Sequence, residues 1–327
     1  MSKVNVVIDL GSKFLGLGLV DRDFVLKEPC IVAEDKLVQG SFIACGLQAL
    51  QKEKEDDYTC KIVYPIQNGE VVNAMAFEYL IVNTLQKMLP EHAFLPSITV
   101  FCGVACNTSN ETKQIIDDIF NRVGVKRVEF LLSPIADAFA ARKEFGIAGG
   151  VTVNIGNNLT QVCIVDGDEV LSGISMQWAG VNLLDKIIEY VRLKHFMAIG
   201  RKQANDILCN CISLYPNNMS MYRVKGVNIQ KNHEEVFEVS SRELYETVFA
   251  FFEKIVSVVN SLIISSNDFA IDKVRANGII MTGGLCAIEG LEKFFFDVLK
   301  MPVHMLKNPE NSTVEGLKLY SKTMTRR

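Results

Sequence analysis

Two stretches of this chain begin alike. Val6-Val7-Ile8-Asp9-Leu10-Gly11-Ser12 is echoed, about 145 residues later, by Val151-Thr152-Val153-Asn154-Ile155-Gly156-Asn157. Each is an apolar run that closes on a short polar side chain, an aliphatic residue, a glycine and another polar residue. Each is followed by a second apolar run, Leu15–Val20 and Thr160–Val165. Strand, tight turn, strand is the reading of both. A third strand is expected after each hairpin, at Ile31–Ala33 behind Glu28-Pro29 and at Glu169–Ile174. A restart at this interval is too long for a solenoid repeat and marks the duplication of a domain-sized unit. The length of 327 residues agrees, since about 150 residues per domain predicts two. The halves are expected at 1–145 and 146–327.

The stretches between the hairpins alternate helix and strand, which predicts an α/β class. Ala74–Leu89 carries Met75, Tyr79, Val82, Leu85 and Leu89 at helical spacing. Ile98–Val104 reads as a buried strand, and Asn110–Val123 as a helix with Asn107, Thr108 and Ser109 as capping candidates. Val128–Leu132 is a strand and Ala136–Glu144 a helix. In the second half, helices are expected at Leu183–His195, Arg201–Cys209, Arg242–Ser265 and Ile288–Leu299, with strands at Gly278–Thr282 and Val303–Leu306. Two polar excursions interrupt the pattern, one at about 34–60 and one at about 182–241, the latter β-rich over 213–240. The tail Leu317–Arg327 shows no amphipathic stripe, and the C-terminal segment is expected to pack back on the first half.

Composition narrows the function. Hydrophobic residues make up 49% and charged residues 22%, enough apolar matter for a real core. The net charge of −4 and the absence of a dense Lys/Arg run argue against a nucleic-acid partner. Mean hydropathy is +0.19, yet no apolar run reaches the 18 or so residues of a spanning helix. The N-terminus lacks a signal-peptide layout, so a cytosolic protein is expected. The nine cysteines are an odd count, and their close pairs, Cys102/Cys106 and Cys209/Cys211, lack metal-ligand spacing. They read as small buried hydrophobes, and no metal site is expected.

The hairpin turns carry the chemistry. At Asp9-Leu10-Gly11-Ser12-Lys13, glycine lets backbone N–H groups approach a phosphate, and the hydroxyl and the lysine add donors. A carboxylate at the strand end can hold Mg²⁺ through water. One such turn is commonplace, but two placed symmetrically, with Thr282-Gly283-Gly284 ending a later strand, are not. With these residues the chain resembles the actin/DnaK/sugar-kinase ATPase superfamily, and within it the MreB-like bacterial actins. Leu26-Lys27-Glu28-Pro29-Cys30-Ile31-Val32-Ala33, Pro65-Ile66-Gln67-Asn68-Gly69, Gly180-Val181-Asn182-Leu183-Leu184-Asp185 and Met281-Thr282-Gly283-Gly284 are collinear with that family's motifs. The resemblance implies an actin-like ATPase fold: duplicated ribonuclease-H-like domains with two small subdomain insertions around a central cleft. It implies ATP with Mg²⁺ as the ligand. The implied nucleotide-binding residues are Asp9, Gly11, Ser12 and Lys13 from the first turn, and Gly156, Asn157 and Asn158 from the second. Gly180, Asn205 and Leu208 join them, with Gly283, Gly284, Leu285 and Cys286.

The sequence departs from the family at the nucleotide. The second phosphate loop, Asp-Ile-Gly-Gly-Gly-Thr-Thr-Glu in the family, reads Asn154-Ile155-Gly156-Asn157-Asn158-Leu159-Thr160-Gln161. The glutamate before proline that positions the attacking water is replaced by Ser133. Phosphoryl transfer depends on positioned water and neutralised charge, so Ser133, Asn154 and Leu159 predict weak or absent hydrolysis. The resemblance also implies a hydrophobic membrane loop, and His92-Ala93-Phe94-Leu95-Pro96 stands at that place, with Phe94 and Leu95 as the inserting pair. The expected function is a cell-shape filament: a homopolymer, peripheral at the inner face of the membrane, with shape-determining membrane proteins as implied partners. An active actin-family ATPase and a non-polymerising adaptor like the division and pilus actins are the alternatives.

Overall fold

The computed structural model describes residues 3–55, 57–89 and 97–324. The chain divides into two compact units, residues 1–148 with 167–170 and 311–327, and residues 149–166 with 171–310.

The first unit opens with β1 (Lys3–Leu10), β2 (Phe14–Leu19) and β3 (Val25–Pro29). β1 and β2 form the expected hairpin, with Asp9 opposite Gly16 and Leu10 opposite Leu15. The third strand starts earlier than the sequence reading placed it. Val25–Pro29 pairs with β2, and only after a turn in which Ile31 N–H reaches the Pro29 carbonyl does β4 (Val32–Asp35) begin. β4 lies between β5 (Phe42–Cys45) and β6 (Cys60–Val63), with α1 (Leu47–Lys54) on this small sheet. This is the first excursion, and it has its own core of Ile31, Ala33, Ala44, Ala49 and Cys60. A short hairpin of β7 (Ile66–Gln67) and β8 (Glu70–Val71) leads to α2 (Ala74–Met88).

The expected face of α2 is wrong in part. Phe77, Leu80, Ile81, Thr84, Leu85 and Met88 are buried, while Met75 is 62% exposed. The helix is apolar on several sides, so the elements packed against it, rather than spacing alone, decide which stripe is buried. β9 (Ser97–Val104), α3 (Asn110–Arg122), β10 (Arg127–Leu132) and α4 (Ser133–Phe145) complete the alternation. Ser109 caps α3, its Oγ accepting from Thr112 N–H at 3.0 Å. The five strands order as β10-β9-β1-β2-β3, with β1 parallel to β9 and antiparallel to β2.

The second unit repeats this plan. β11 (Gly149–Ile155), β12 (Thr160–Asp166) and β13 (Glu169–Met176) are followed by α5 (Gly180–His195). Next come β14 (Met197–Ala198), α6 (Arg201–Cys211), β15 (Met221–Asn228) and β16 (His233–Ser240). α7 (Ser241–Ile264) opens on a capping box of Ser240 with Glu243. Among the described residues it is the one helix long and apolar enough to cross a membrane. Leu244, Val248, Phe251, Phe252, Ile255, Val256, Val259 and Leu262 are nonetheless buried in this unit's core. α8 (Asp268–Asn277), which the sequence reading passed over, is followed by β17 (Ile279–Thr282). α9 (Leu291–Leu299) starts three residues later than expected, because Gly284–Ala287 forms a 3₁₀ turn and Gly290 takes a left-handed φ. β18 (Val303–Met305) closes a sheet ordered β13-β12-β11-β17-β18.

α10 (Ser312–Met324) clusters with the first unit. The reading of the tail as unpatterned is corrected here. Thr313, Val314, Gly316, Leu317 and Ser321 are buried, and a Cβ on Gly316 would lie 1.7 Å from the Ala136 carbonyl oxygen of α4. Over the tail read as unpatterned, the buried face is Leu317, Lys318 and Ser321, and one apolar residue among polar ones gives no stripe to see in the sequence.

Candidate functional site

In the first unit the turn Gly11-Ser12-Lys13 joins β1 to β2. A Cβ on Gly11 would stand 2.4 Å from the Phe14 carbonyl oxygen, so the turn is too tight for any other residue. Asp9 sits one residue short of the end of β1. Burial and the neighbouring Asp137 carboxylate push its carboxyl up to about 7, against the pull of Lys27. Asp137, fully buried on α4, accepts from Ser312 Oγ at 2.9 Å and Thr313 Oγ1 at 2.8 Å, both in the first turn of α10. Sequence reasoning missed this cluster. Its signal was an acid inside the alanine-rich stretch Ala136-Asp137-Ala138.

Ser133 stands at the first position of α4, ahead of Pro134. Its hydroxyl is buried and donates to the Val104 carbonyl at the end of β9, 3.1 Å away. It is bound to backbone rather than presented to solvent.

In the second unit the turn 156–159 joins β11 to β12. Gly156 N–H bonds to the Leu159 carbonyl at 3.0 Å, and the side-chain amide of Asn157 donates to the side-chain oxygen of Asn158. Asn154 and Gln161 face each other across the hairpin. Both are amides, so this strand pair places no carboxylate beside the turn. The carbonyls of Gly156 and Asn157 accept the Gly180 and Val181 N–H groups at 3.0 and 2.8 Å, which uses the first amides of α5. Leu285 packs on the same point, since a Cβ on Gly180 would lie 2.8 Å from Leu285 Cδ1. Gly283 adopts φ +91° and abuts the Ile155 backbone, while the space beside Gly284 is open. The structure thus brings Gly156, Asn157, Gly180, Gly283 and Leu285 together.

It does not bring Leu208 to a polar surface: that side chain packs partly buried against the core. Asn205, on α6, donates to Cys209 Sγ at 3.7 Å. Cys286 Sγ donates to the Thr282 carbonyl at 2.9 Å. Cys286 also lines a cavity of about 400 Å³ with Tyr215, Ile288, Leu291, Met305 and Pro309. Seven of the nine cysteines are buried; Cys209 is exposed and Cys106 intermediate. Phe94 and Leu95 lie outside the described residues.

A residue outside the expected binding set braces this site. Thr160, the hydroxyl that the second loop keeps, donates from Oγ1 to the Trp178 carbonyl at 2.7 Å. The Trp178 indole N–H reaches the Phe251 carbonyl at 3.1 Å, and its ring stacks on Phe251. The Lys254 ammonium lies 3.8 Å from the indole centroid.

The family model for MreB/Mbl protein matches residues 3–327. The cell shape-determining protein Mbl of Bacillus subtilis is 23% identical over 314 residues, covering 95% of this chain and 94% of the relative. The cell shape-determining protein MreB of Escherichia coli K12 is also 23% identical, over 94% of this chain and 90% of the relative. Among solved structures, MreB5 of Spiroplasma citri bound to ADP superposes with a TM-score of 0.90 at 22% identity, covering 99% and 98% of the two chains. The MamK double helical filament gives 0.81 at 17% identity, covering 98% and 99%. These likenesses establish the expected actin-like ATPase fold.

Proposed function

This chain belongs to the MreB/Mbl protein family, and from that premise we propose that it is a bacterial-actin-type cytoskeletal protein that assembles with copies of itself and scaffolds cell shape. The match to the family model from residue 3 to residue 327 carries this reading. Its partners by this reading are further copies of the chain, the inner face of the membrane and the shape-determining membrane proteins. Phe94 and Leu95 are the sequence feature behind the membrane contact, since an adjacent Phe-Leu pair gains free energy at a lipid interface. Many weak insertions along a polymer add through effective concentration.

We further propose that assembly does not depend on ATP hydrolysis. The residues fit a magnesium nucleotide on one side only. In the first unit, Asp9 has a carboxyl whose charge is disfavoured until a cation compensates it, and Gly11, Ser12 and Lys13 form a tight donor-bearing turn. In the second unit, Asn154 and Gln161 supply no negative charge, Leu159 supplies no hydroxyl, and the first amides of α5 are bonded to the loop's own carbonyls. When bound, the nucleotide would supply a γ-phosphoryl group for transfer to water. The Ser133 hydroxyl, bound to Val104, cannot orient that water, so the catalytic contribution is missing. Co-sedimentation of the pure chain with liposomes, with and without Mg-ATP, tests the reading. Polymer on lipid in equal amount under both conditions supports it. Assembly that requires ATP, with phosphate released and both lost in D9N, makes this a working ATPase instead.

A further inference from the structure

The third strand of the first unit brings a charge to the Asp9 turn that the expected binding set does not contain. Asp9 lies opposite Gly16 on β2, and Gly16 lies opposite Lys27 on β3. Residues opposed in this way share a face of the sheet, so Asp9 and Lys27 stand in one row. Glu28, the next residue, points to the other face, where its buried carboxylate accepts from Leu47 N–H at 3.1 Å and Lys87 Nζ at 2.8 Å. Those bonds hold the strand in register and so fix the face that Lys27 takes.

Gly16, between Asp9 and Lys27, has no side chain, and a methyl of Val314 on α10 takes that place. The Lys27 side chain leans toward the turn. Its ammonium lies 5.1 Å from the centroid of the Phe14 ring, and Phe14 stands two residues before Gly16 on the same face of β2. The Lys13 ammonium approaches the same ring, at 5.9 Å. The backbone keeps the two lysines in step, since Cys30 N–H donates to the Lys13 carbonyl at 2.9 Å and ties the end of β3 to the turn. Two ammonium groups brought to one ring repel each other, and the ring face offsets only part of this. Lys27 also acts on Asp9, pulling its carboxyl down against burial and Asp137. The turn thus sets a carboxylate at a strand end beside two converging lysines. A phosphate chain carrying magnesium has the matching pattern, a cation toward the carboxylate and oxyanions toward the lysines. A bare anion would meet Asp9 charge against charge.

We infer that Lys27 is a phosphate-binding residue of the first turn, and that with Lys13 it holds the phosphate chain of a magnesium diphosphate or triphosphate from the first unit alone. This rests on the one-sided nucleotide site proposed above and names what holds the ligand there. Charge from β3 stands in for contacts that the second loop does not offer.

The probe is magnesium pyrophosphate, a phosphate chain without a nucleoside, titrated calorimetrically into the full chain. The wild type binds it. Lys27→Met keeps the apolar stem beside Phe14 and removes the charge, and it weakens binding roughly tenfold, the loss of one charge-assisted contact. Lys27→Arg keeps the charge and most of the affinity. Lys225→Met, on β15 of the second unit, makes the same change in net charge and leaves binding as it is. Circular dichroism melting checks that each variant is folded, and Lys13→Met, at an exposed position, gives the same reading should Lys27→Met lose its fold. Magnesium ATP run in parallel shows the same ratio of wild type to Lys27→Met, because the phosphates are common to both ligands. Equal binding by Lys27→Met and wild type, an equal loss in Lys225→Met, or a wild-type chain that binds no magnesium pyrophosphate overturns the inference. A loss confined to magnesium ATP overturns it as well, since the nucleoside would then carry the contact. Self-assembly is read separately, by pelleting without nucleotide, and stands or falls on its own.

Discussion

Asp9 is raised first by its burial and then by the neighbouring Asp137 carboxylate, and the consequence is a pH dependence of definite sign. The Asp9 carboxyl is raised from 3.8 to about 7 in the folded chain. The folded state therefore binds more protons than the unfolded state between these values, and stability falls as pH rises through that window. The contribution is fully present below about pH 4 and lost above about pH 7, a few kcal/mol at most. Asp9→Asn removes it. The melting temperature of D9N relative to wild type should rise from pH 4 to pH 7 and then stay level; a difference that does not change with pH contradicts the coupling. Glu28 makes a second prediction at this scale. Its carboxylate is almost wholly buried, accepting from Leu47 N–H at 3.1 Å and Lys87 Nζ at 2.8 Å. Gly46, at φ +58°, leaves room for it. Glu28→Ala strands the Leu47 amide and empties the space, and should cost about 2–4 kcal/mol in urea unfolding. Glu28→Gln keeps an acceptor for Leu47 and should cost less.

Among the elements, α4 and α10 approach each other closely. Gly316 has no space for a methyl group beside Ala136, and Asp137 ties down the start of α10 through Ser312 and Thr313. Gly316→Ala should lower stability by about 3 kcal/mol, with protease cleavage appearing first in α10; a variant as stable as wild type would show that the two helices part easily. The same pair shows where the sequence was legible. The hairpins at Asp9 and Asn154 could be read because apolar alternation and a glycine turn are local signals. The capped start of α3 could be read from Ser109 for the same reason. The face of α2 and the packing of α10 could not. A helix with apolar residues on several sides has its face chosen by its neighbour, and a face that mixes Val314 and Leu317 with glycine, serine, threonine and Lys318 has meaning only against the alanines of α4. At the candidate site, the replaced residues of the second loop were visible as letters. Their bonding, such as the Ser133 hydroxyl on Val104 and the α5 amides on the loop carbonyls, depends on strands brought together from afar.

For the whole molecule, the duplication has not aged evenly. Both units have the five-stranded plan, but the first turn carries a carboxylate, a hydroxyl and a lysine in Asp9, Ser12 and Lys13, while the second carries Asn154, Asn157, Asn158 and Leu159. Isothermal titration should find Mg-ATP binding weak, and phosphate release should stay at background. The variant N154D/N157G/N158G/L159T should tighten nucleotide binding at least tenfold, about 1.4 kcal/mol. Binding by the wild type as tight as by this variant would mean that the first turn and the open side of Gly284 suffice.

Trp178 is the only tryptophan in the chain, and it is fixed within the second unit by Phe251, Lys254 and Thr160. Its emission is therefore a light source planted in one half of a duplicated molecule. Heating followed by fluorescence will record the loss of structure around α5 and α7 and stay silent about β1, α4 and α10. Far-ultraviolet dichroism of the same sample weighs both halves. If the two melting curves coincide, the halves unfold as one cooperative body. If they separate, the gap between them measures how far the two copies of one ancestral unit have drifted in stability as well as in sequence.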